Sequence, residues 1–113
     1  MASYRPESVG RNIQQQLSEI LRTEIRDPRL LSITLTGVKM SRDLRTARVY
    51  FSIPGEEPPW EEALEGLENA AAFLRREIGQ RVRLRHIPEL FFSYDDSIER
   101  GARIDRLLND LNS

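Results

Sequence analysis

The chain has 113 residues, enough for one modest core and too few for two. It has no cysteine, which excludes disulfides, thiolate metal sites and cysteine nucleophiles. A formal net charge of −1 and a pI near 5.9 depart from the simple expectation for a nucleic-acid binder, a pI above about 9. The opening, Met1 to Gly10, is polar without an apolar centre, so no signal peptide is expected. No apolar run approaches the roughly 20 residues of a membrane crossing, and a soluble, cytoplasmic protein is expected.

Val9, Ile13, Leu17, Leu21 and Ile25 recur at every fourth position, with Ile20 beside them. This spacing predicts an amphipathic helix, N-capped by Ser8 and stopped at Asp27-Pro28 by the proline ring. Residues 32–41 read as a strand whose alternation slips by one at Gly37, the signature of a β-bulge. A polar turn, Arg42-Asp43-Leu44-Arg45, leads into a second strand. There Ala47, Val49, Phe51 and Ile53 alternate with Arg48, Tyr50 and Ser52, which makes the pair an antiparallel hairpin. Pro54-Gly55 ends it.

A helix is expected from Trp60, with Trp60, Leu64, Leu67 and Ala71 as its apolar stripe. The pattern continues through Phe73, Leu74 and Ile78 in a shifted phase. The small residues Ala70, Ala71 and Ala72 mark the expected kink between two helices. Residues 83–94 carry a third strand, with Pro88 suited to its start. Asp95, Asp96 and Ser97 supply cap oxygens for a last helix, about 98–111. Ile104, Leu107, Leu108 and Leu111 are its stripe, and Glu99–Arg103 and Arg106–Asp110 are candidate ion pairs. A hairpin followed by a helical crossover places the third strand parallel to one hairpin strand. The expected fold is α+β, in the order α-β-β-α-(kink)-α-β with a C-terminal helix, and its three-stranded mixed sheet is covered by helices on one face. This order matches the type II KH architecture. One domain is expected over 1–113, with a core at about 5–96 and the C-terminal helix at about 97–111.

Catalytic chemistry finds little support. His86 is the only histidine, so no His-rich zinc site can be built, and no metal or cofactor is expected. Asp95-Asp96 reads as turn and cap chemistry rather than a catalytic pair. There is no phosphate-binding glycine loop, and an enzyme is not expected. The glycines at 10, 37, 55, 66, 79 and 101 never stand three apart, so the GXXG grip of ordinary KH domains is absent.

Charge distribution says more than the total. Residues 1–55 carry a balance of +4, 56–70 of −6, 71–88 of +4 and 89–113 of −3. Arg75, Arg76, Arg81, Arg83 and Arg85 form the densest basic stretch. With only Glu77 available locally, phosphate contact is favoured over a solvated, paired face. Arg42 and Arg45 in the turn are even between the two readings, because Asp43 lies between them. Arg26 and Arg29 either pair with Asp27 or bind. Tyr50, Phe91 and Tyr94 could stack on bases, although strand aromatics are more often core.

Several segments, taken in order, resemble the ribosome-binding factor A family. They are Ile25-Arg26-Asp27-Pro28-Arg29-Leu30, the strand at 34–38, Ser41-Arg42-Asp43-Leu44, Ala47-Arg48-Val49-Tyr50 and the run from Leu84 to Ser97. The Arg5…Val9…Ile13 opening and the Gly101…Arg103-Ile104…Leu107-Leu108 ending also fit. The resemblance spans nearly the whole chain. It implies a type II KH-like fold with an Ala-x-Gly kink in place of GXXG, which falls on Ala70-Ala71-Ala72. Ala72 stands where the family often has glycine. It also implies binding to free 30S subunits and 16S rRNA, help in late maturation including the 16S 5′ end, and a part in cold adaptation. A small-subunit assembly GTPase is the implied functional partner, and a monomer with no membrane association is expected. Some members carry a long basic tail; here the chain ends at Ser113, and tail contacts are not expected. The alternatives are a general KH-like RNA-binding module and a protein-interaction adaptor using the acidic 56–68 loop and the last helix.

Overall fold

The computed structural model describes residues 5–111. The first four and last two residues of the domain expected over 1–113 lie outside the described residues, and with them the start of the polar opening.

Helix α1 spans Pro6–Thr23 and buries Val9, Ile13, Leu17, Ile20 and Leu21, as its spacing predicts. Its limits differ from expectation at both ends. Pro6 occupies the first turn after an extended Arg5, so Ser8 lies inside the helix and caps nothing. Proline is pre-organised there and lacks only an N–H that would have no helical partner. The helix ends at Thr23, four residues before Asp27. Asp27 must be extended (φ −71°, ψ 119°) to cap the 3-10 turn Pro28–Leu30, so the chain leaves the helix early. Ile25 still packs, half-buried, against the core.

Strands β1 (Thr34–Met40) and β2 (Thr46–Ser52) form the predicted antiparallel hairpin. Leu35 faces Phe51 and Gly37 faces Tyr50, so Thr36 is the extra residue of a bulge at the predicted slip. Strand β3 (Glu89–Tyr94) runs parallel to β2, giving the order β1-β2-β3 with β2 central. The residues before β3, expected to be extended with it, are a loop.

Helix α2 (Trp60–Arg81) corrects the expected kink. It is a single uninterrupted helix through Ala70, Ala71 and Ala72. The buried residues Ala63, Leu67, Leu74 and Ile78, with Ala70 and Ala71 half-buried between them, make one continuous stripe. The apparent phase shift comes from counting Trp60, whose ring lies off the stripe and stacks on Tyr94 at 5.3 Å between centroids. Alanine is the strongest helix former, and three in succession give no cause to break.

Helices α1 and α2 cover the sheet face bearing Ala47, Val49 and Phe51, all fully buried. Gly10 brings α1 close: a Cβ there would sit 2.7 Å from the carbonyl oxygen of Val38. Helix α3 (Ser97–Leu111) leaves this body, its stripe exposed. The Cα radius of gyration, 16.1 Å, exceeds the roughly 13 Å of a compact domain this size.

Candidate nucleic-acid interface

The crossover through α2 brings the two sequence-predicted basic segments to one end of the sheet. The Glu89 amide donates to the Arg45 carbonyl at 2.8 Å, joining the start of β3 to the hairpin turn. The loop before β3 is held to α2 by Arg75, which donates to the carbonyls of Pro88 (3.0 Å) and Ile87 (3.2 Å). Ile87 lies on Gly79, where a Cβ would approach it to 2.6 Å. Between turn and loop lies an open cavity of about 750 Å³, with Asp43 and Leu44 on one side and Gln80, Arg83, Arg85 and His86 on the other.

The turn is internally braced. Asp43 Oδ1 accepts from Ser41 Oγ at 2.7 Å and from the Arg45 amide at 3.1 Å, and Ser41 Oγ accepts from the Thr46 amide at 3.1 Å. The Ser41 hydroxyl, then the Arg45 amide, hold the Asp43 carboxyl below its ordinary value. Leu44 takes φ of 62°, unusual for a branched side chain, and is half-buried at the cavity wall. Asp43 thus organises the turn through hydrogen bonds, and neither neighbouring guanidinium forms an ion pair with it.

The seven candidate arginines divide. Arg75 is spent on the loop carbonyls. Arg81 pairs with Glu24 at 3.0 Å and with Glu77 at 3.7 Å, joining α2 to the end of α1. Both side chains are engaged within the domain. Arg42, Arg45, Arg76, Arg83 and Arg85 are exposed and make no ion pair among the described residues. Arg81, Arg83 and Arg85 do not share a strand face, because the chain after α2 is irregular. Among the described residues no group of three His, Cys, Asp or Glu is placed to hold a metal ion.

Acids gather at the opposite end of the sheet, about 20 Å away along β2. The Asp95 amide donates to the Phe51 carbonyl at 2.7 Å, and the Trp60–Tyr94 stack brings the start of α2 with Glu61 and Glu62 alongside. The Tyr94 hydroxyl donates to Glu99; that bond, with burial, pushes the Tyr94 pKa up to about 12. Tyr94 also meets Phe51 edge-on at 5.7 Å, so it belongs to the core and not to a stacking surface. Glu99 is thereby engaged from the strand side, and the ion pair seen in the first turn of α3 is Asp96–Arg100 at 2.9 Å.

The recognisable Asp27-Pro28-Arg29 segment is a structural clamp. Arg29 donates from its amide to Asp27 Oδ1 (3.0 Å) and from Nη2 to Oδ2 (2.7 Å). The Arg29 side chain is the main cause holding the Asp27 carboxyl below its ordinary 3.8. Gly66 of α2 packs on this clamp, where a Cβ would meet Leu30 at 3.0 Å and Asp27 Oδ2 at 3.3 Å.

Two further cations, Lys39 and Arg48, are not among the candidates drawn from the sequence. Both lie exposed on the uncovered sheet face. The alternation of Arg48 and Tyr50 with the buried Ala47, Val49 and Phe51 is the signal that places them there.

Residues 5–108 match the family model described as ribosome-binding factor A. A ribosome-binding factor A of Thioalkalivibrio sulfidiphilus is 50% identical over 105 residues, covering 93% of this chain and 81% of that protein. The crystal structure of ribosome-binding factor A from Thermus thermophilus superposes with a TM-score of 0.71 at 30% identity, over 79% of this chain and 93% of that one. A homology model of Thermus thermophilus ribosome-binding factor A, fitted into a cryo-electron-microscopy map of a 30S complex, matches with a TM-score of 0.64 at 31% identity, over 77% and 91% of the two chains. The KH-like α+β body, the basic end built on it and these likenesses along nearly the full length agree: the chain belongs to the ribosome-binding factor A family.

Proposed function

We propose that this chain binds the free 30S subunit through 16S rRNA and assists its late maturation, including processing of the 16S 5′ end. It acts as a single KH-like domain, by binding rather than by catalysis. The observation that carries this reading is the likeness to the Thermus thermophilus protein fitted in a 30S complex. The geometry supports it: Arg42, Arg45, Arg76, Arg83 and Arg85 are left without ion-pair partners among the described residues, and Arg42, Arg45, Arg83 and Arg85 cluster beside the braced turn and pinned loop. Arginine forks held on a rigid support suit rRNA phosphates. Docked there, the protein holds an immature rRNA conformation until the ends are processed. It works as a cytoplasmic monomer, with a small-subunit assembly GTPase as functional partner and its greatest importance in the cold.

Sedimentation of cell extract on a sucrose gradient tests the reading. The protein is expected with free small subunits, and a spread over many RNAs would overturn the ribosome-specific role. Changing Arg42, Arg83 and Arg85 together to Gln should weaken subunit binding without unfolding. It should also flatten the salt dependence by about three units of slope, roughly one per phosphate contact. Unchanged affinity would move the interface to another surface.

A further inference from the structure

Helices cover only one face of the sheet. The register places Lys39, Arg48 and Phe91 side by side across β1, β2 and β3 on the other face, with Tyr50 and Ser93 paired in the next outward row. Phe91 leaves 42% of its surface in water, although a phenylalanine in a strand is normally among the first side chains to be covered. Arg48 is fixed beside it: Nη1 donates to Ser93 Oγ at 2.9 Å, and the guanidinium carbon lies 6.0 Å from the Phe91 ring centre. Gly37, opposite Tyr50, carries no side chain and has nothing within 4 Å of where a Cβ would stand, so the ground beside the Tyr50 ring is open.

We infer that this open sheet face is a second RNA surface, on which unpaired bases stack against Phe91 and Tyr50 while Lys39 and Arg48 meet their phosphates. The inference rests on the RNA-binding function proposed above and names the chemistry of an additional site. Single strands present what this face lacks: flat π surfaces for the exposed Phe91 ring and the half-buried Tyr50 ring, and negative charge for two cations at the centre of the face. The acids on this side lie at its ends. Glu89 stands beside Thr46, and Asp95 is occupied by Thr36 Oγ1 (2.7 Å) and the Ser97 amide (2.9 Å). An apolar protein partner is a poorer fit, since Phe91 is the only large hydrophobic residue exposed on the described strands. The face also begins where the hairpin turn ends, so a strand leaving Arg42 and Arg45 runs directly onto it.

The test uses the full chain and a labelled single-stranded RNA of about 12 nucleotides, with inorganic polyphosphate as a probe that has charge but no bases. Phe91→Ala should weaken RNA binding by about 5- to 150-fold, the equivalent of one lost base stack, and leave polyphosphate binding unchanged. Phe91→Trp should retain binding, and its emission should be quenched by RNA, whereas the single native tryptophan, Trp60, should not respond. If Phe91→Ala does not fold, the Phe91→Trp quench gives the same reading. Absence of quenching in Phe91→Trp, or equal losses for RNA and polyphosphate in Phe91→Ala, would overturn the stacking face. Those failures with small-subunit sedimentation intact sink this inference alone. A wild-type chain that does not sediment with small subunits sinks the proposed function, whatever Phe91 does.

Discussion

In α1 the apolar residues Val9, Ile13, Leu17, Ile20 and Leu21 are all buried, while in α3 Ile104, Leu107, Leu108 and Leu111 are each more than half exposed. Both sets recur with helical spacing, and both helices are flanked by aspartates that brace a turn. What differs is where the chain delivers them. Helix α1 returns through the Asp27–Arg29 clamp onto the sheet, whereas α3 departs from the end of β3, meeting the body through the polar side of Glu99 and Arg103 and leaving its apolar stripe uncovered. Periodicity thus declares that a helix has an apolar face. It does not say that the chain itself supplies the cover.

The largest effect that sharpens this contrast is expected from side-chain truncation. Leu17→Ala removes a side chain only 1% exposed and should cost about 2–5 kcal/mol in urea unfolding. Leu108→Ala should stay within about 0.5 kcal/mol. A cost for Leu108 equal to that for Leu17 would mean that α3 docks in solution.

The helical glycines form the next pair. Gly10→Ala pushes a methyl into the Val38 carbonyl, and the overpacking should cost about 1–3 kcal/mol despite alanine's better helix propensity. Gly101 has nothing within 4 Å of a Cβ, so Gly101→Ala should stabilise α3 by up to about 1 kcal/mol, read as increased helicity. Opposite signs at the two positions support the contrast, and like signs break it.

The smallest effects come from the two aspartates. Asp27 is held low chiefly by the Arg29 side chain, and Asp95 by the Ser97 amide and then Thr36. A carboxyl whose folded pKa is depressed stabilises the fold above its unfolded value, and the contribution fades as pH falls through the folded value. Asp27→Asn should therefore lower Tm at neutral pH, with the gap to wild type closing below about pH 4. Asp95→Asn weakens the Ser97 cap and the Thr36 bond to β1 together, so it should reduce α3 helicity over the same range and lower the main Tm less than Asp27→Asn. A fall in Tm for Asp95→Asn like that for Asp27→Asn would show α3 folding as one unit with the body.

Much of the fold is readable from local rules. The bulge follows from the slip at Gly37, and the parallel placement of β3 follows from a hairpin plus a helical crossover. The errors have two causes, tertiary contact and local capping. By spacing alone Trp60 heads a core stripe, and only its stack on Tyr94 assigns it elsewhere. The end of α1 is set by the cap that Asp27 makes after the helix, not by Pro28 alone. At the candidate interface, the cluster of arginines is visible as composition. Their division is not, because the partners of Arg75 and Arg81 lie at Pro88 and Ile87 in one case and at Glu24, 57 residues away, in the other.

A three-stranded sheet has two unpaired margins, and both are poor templates for another strand. Along β1 the extra residue Thr36 interrupts the regular succession of donors and acceptors, and the Gln14 amide already occupies the Leu35 carbonyl beside it at 3.2 Å. At the other margin β3 is six residues long and is preceded by the buried Pro88, which brings no N–H. A neighbouring copy therefore finds no continuous ladder to extend, and the sheet ends at three strands instead of growing from one molecule to the next.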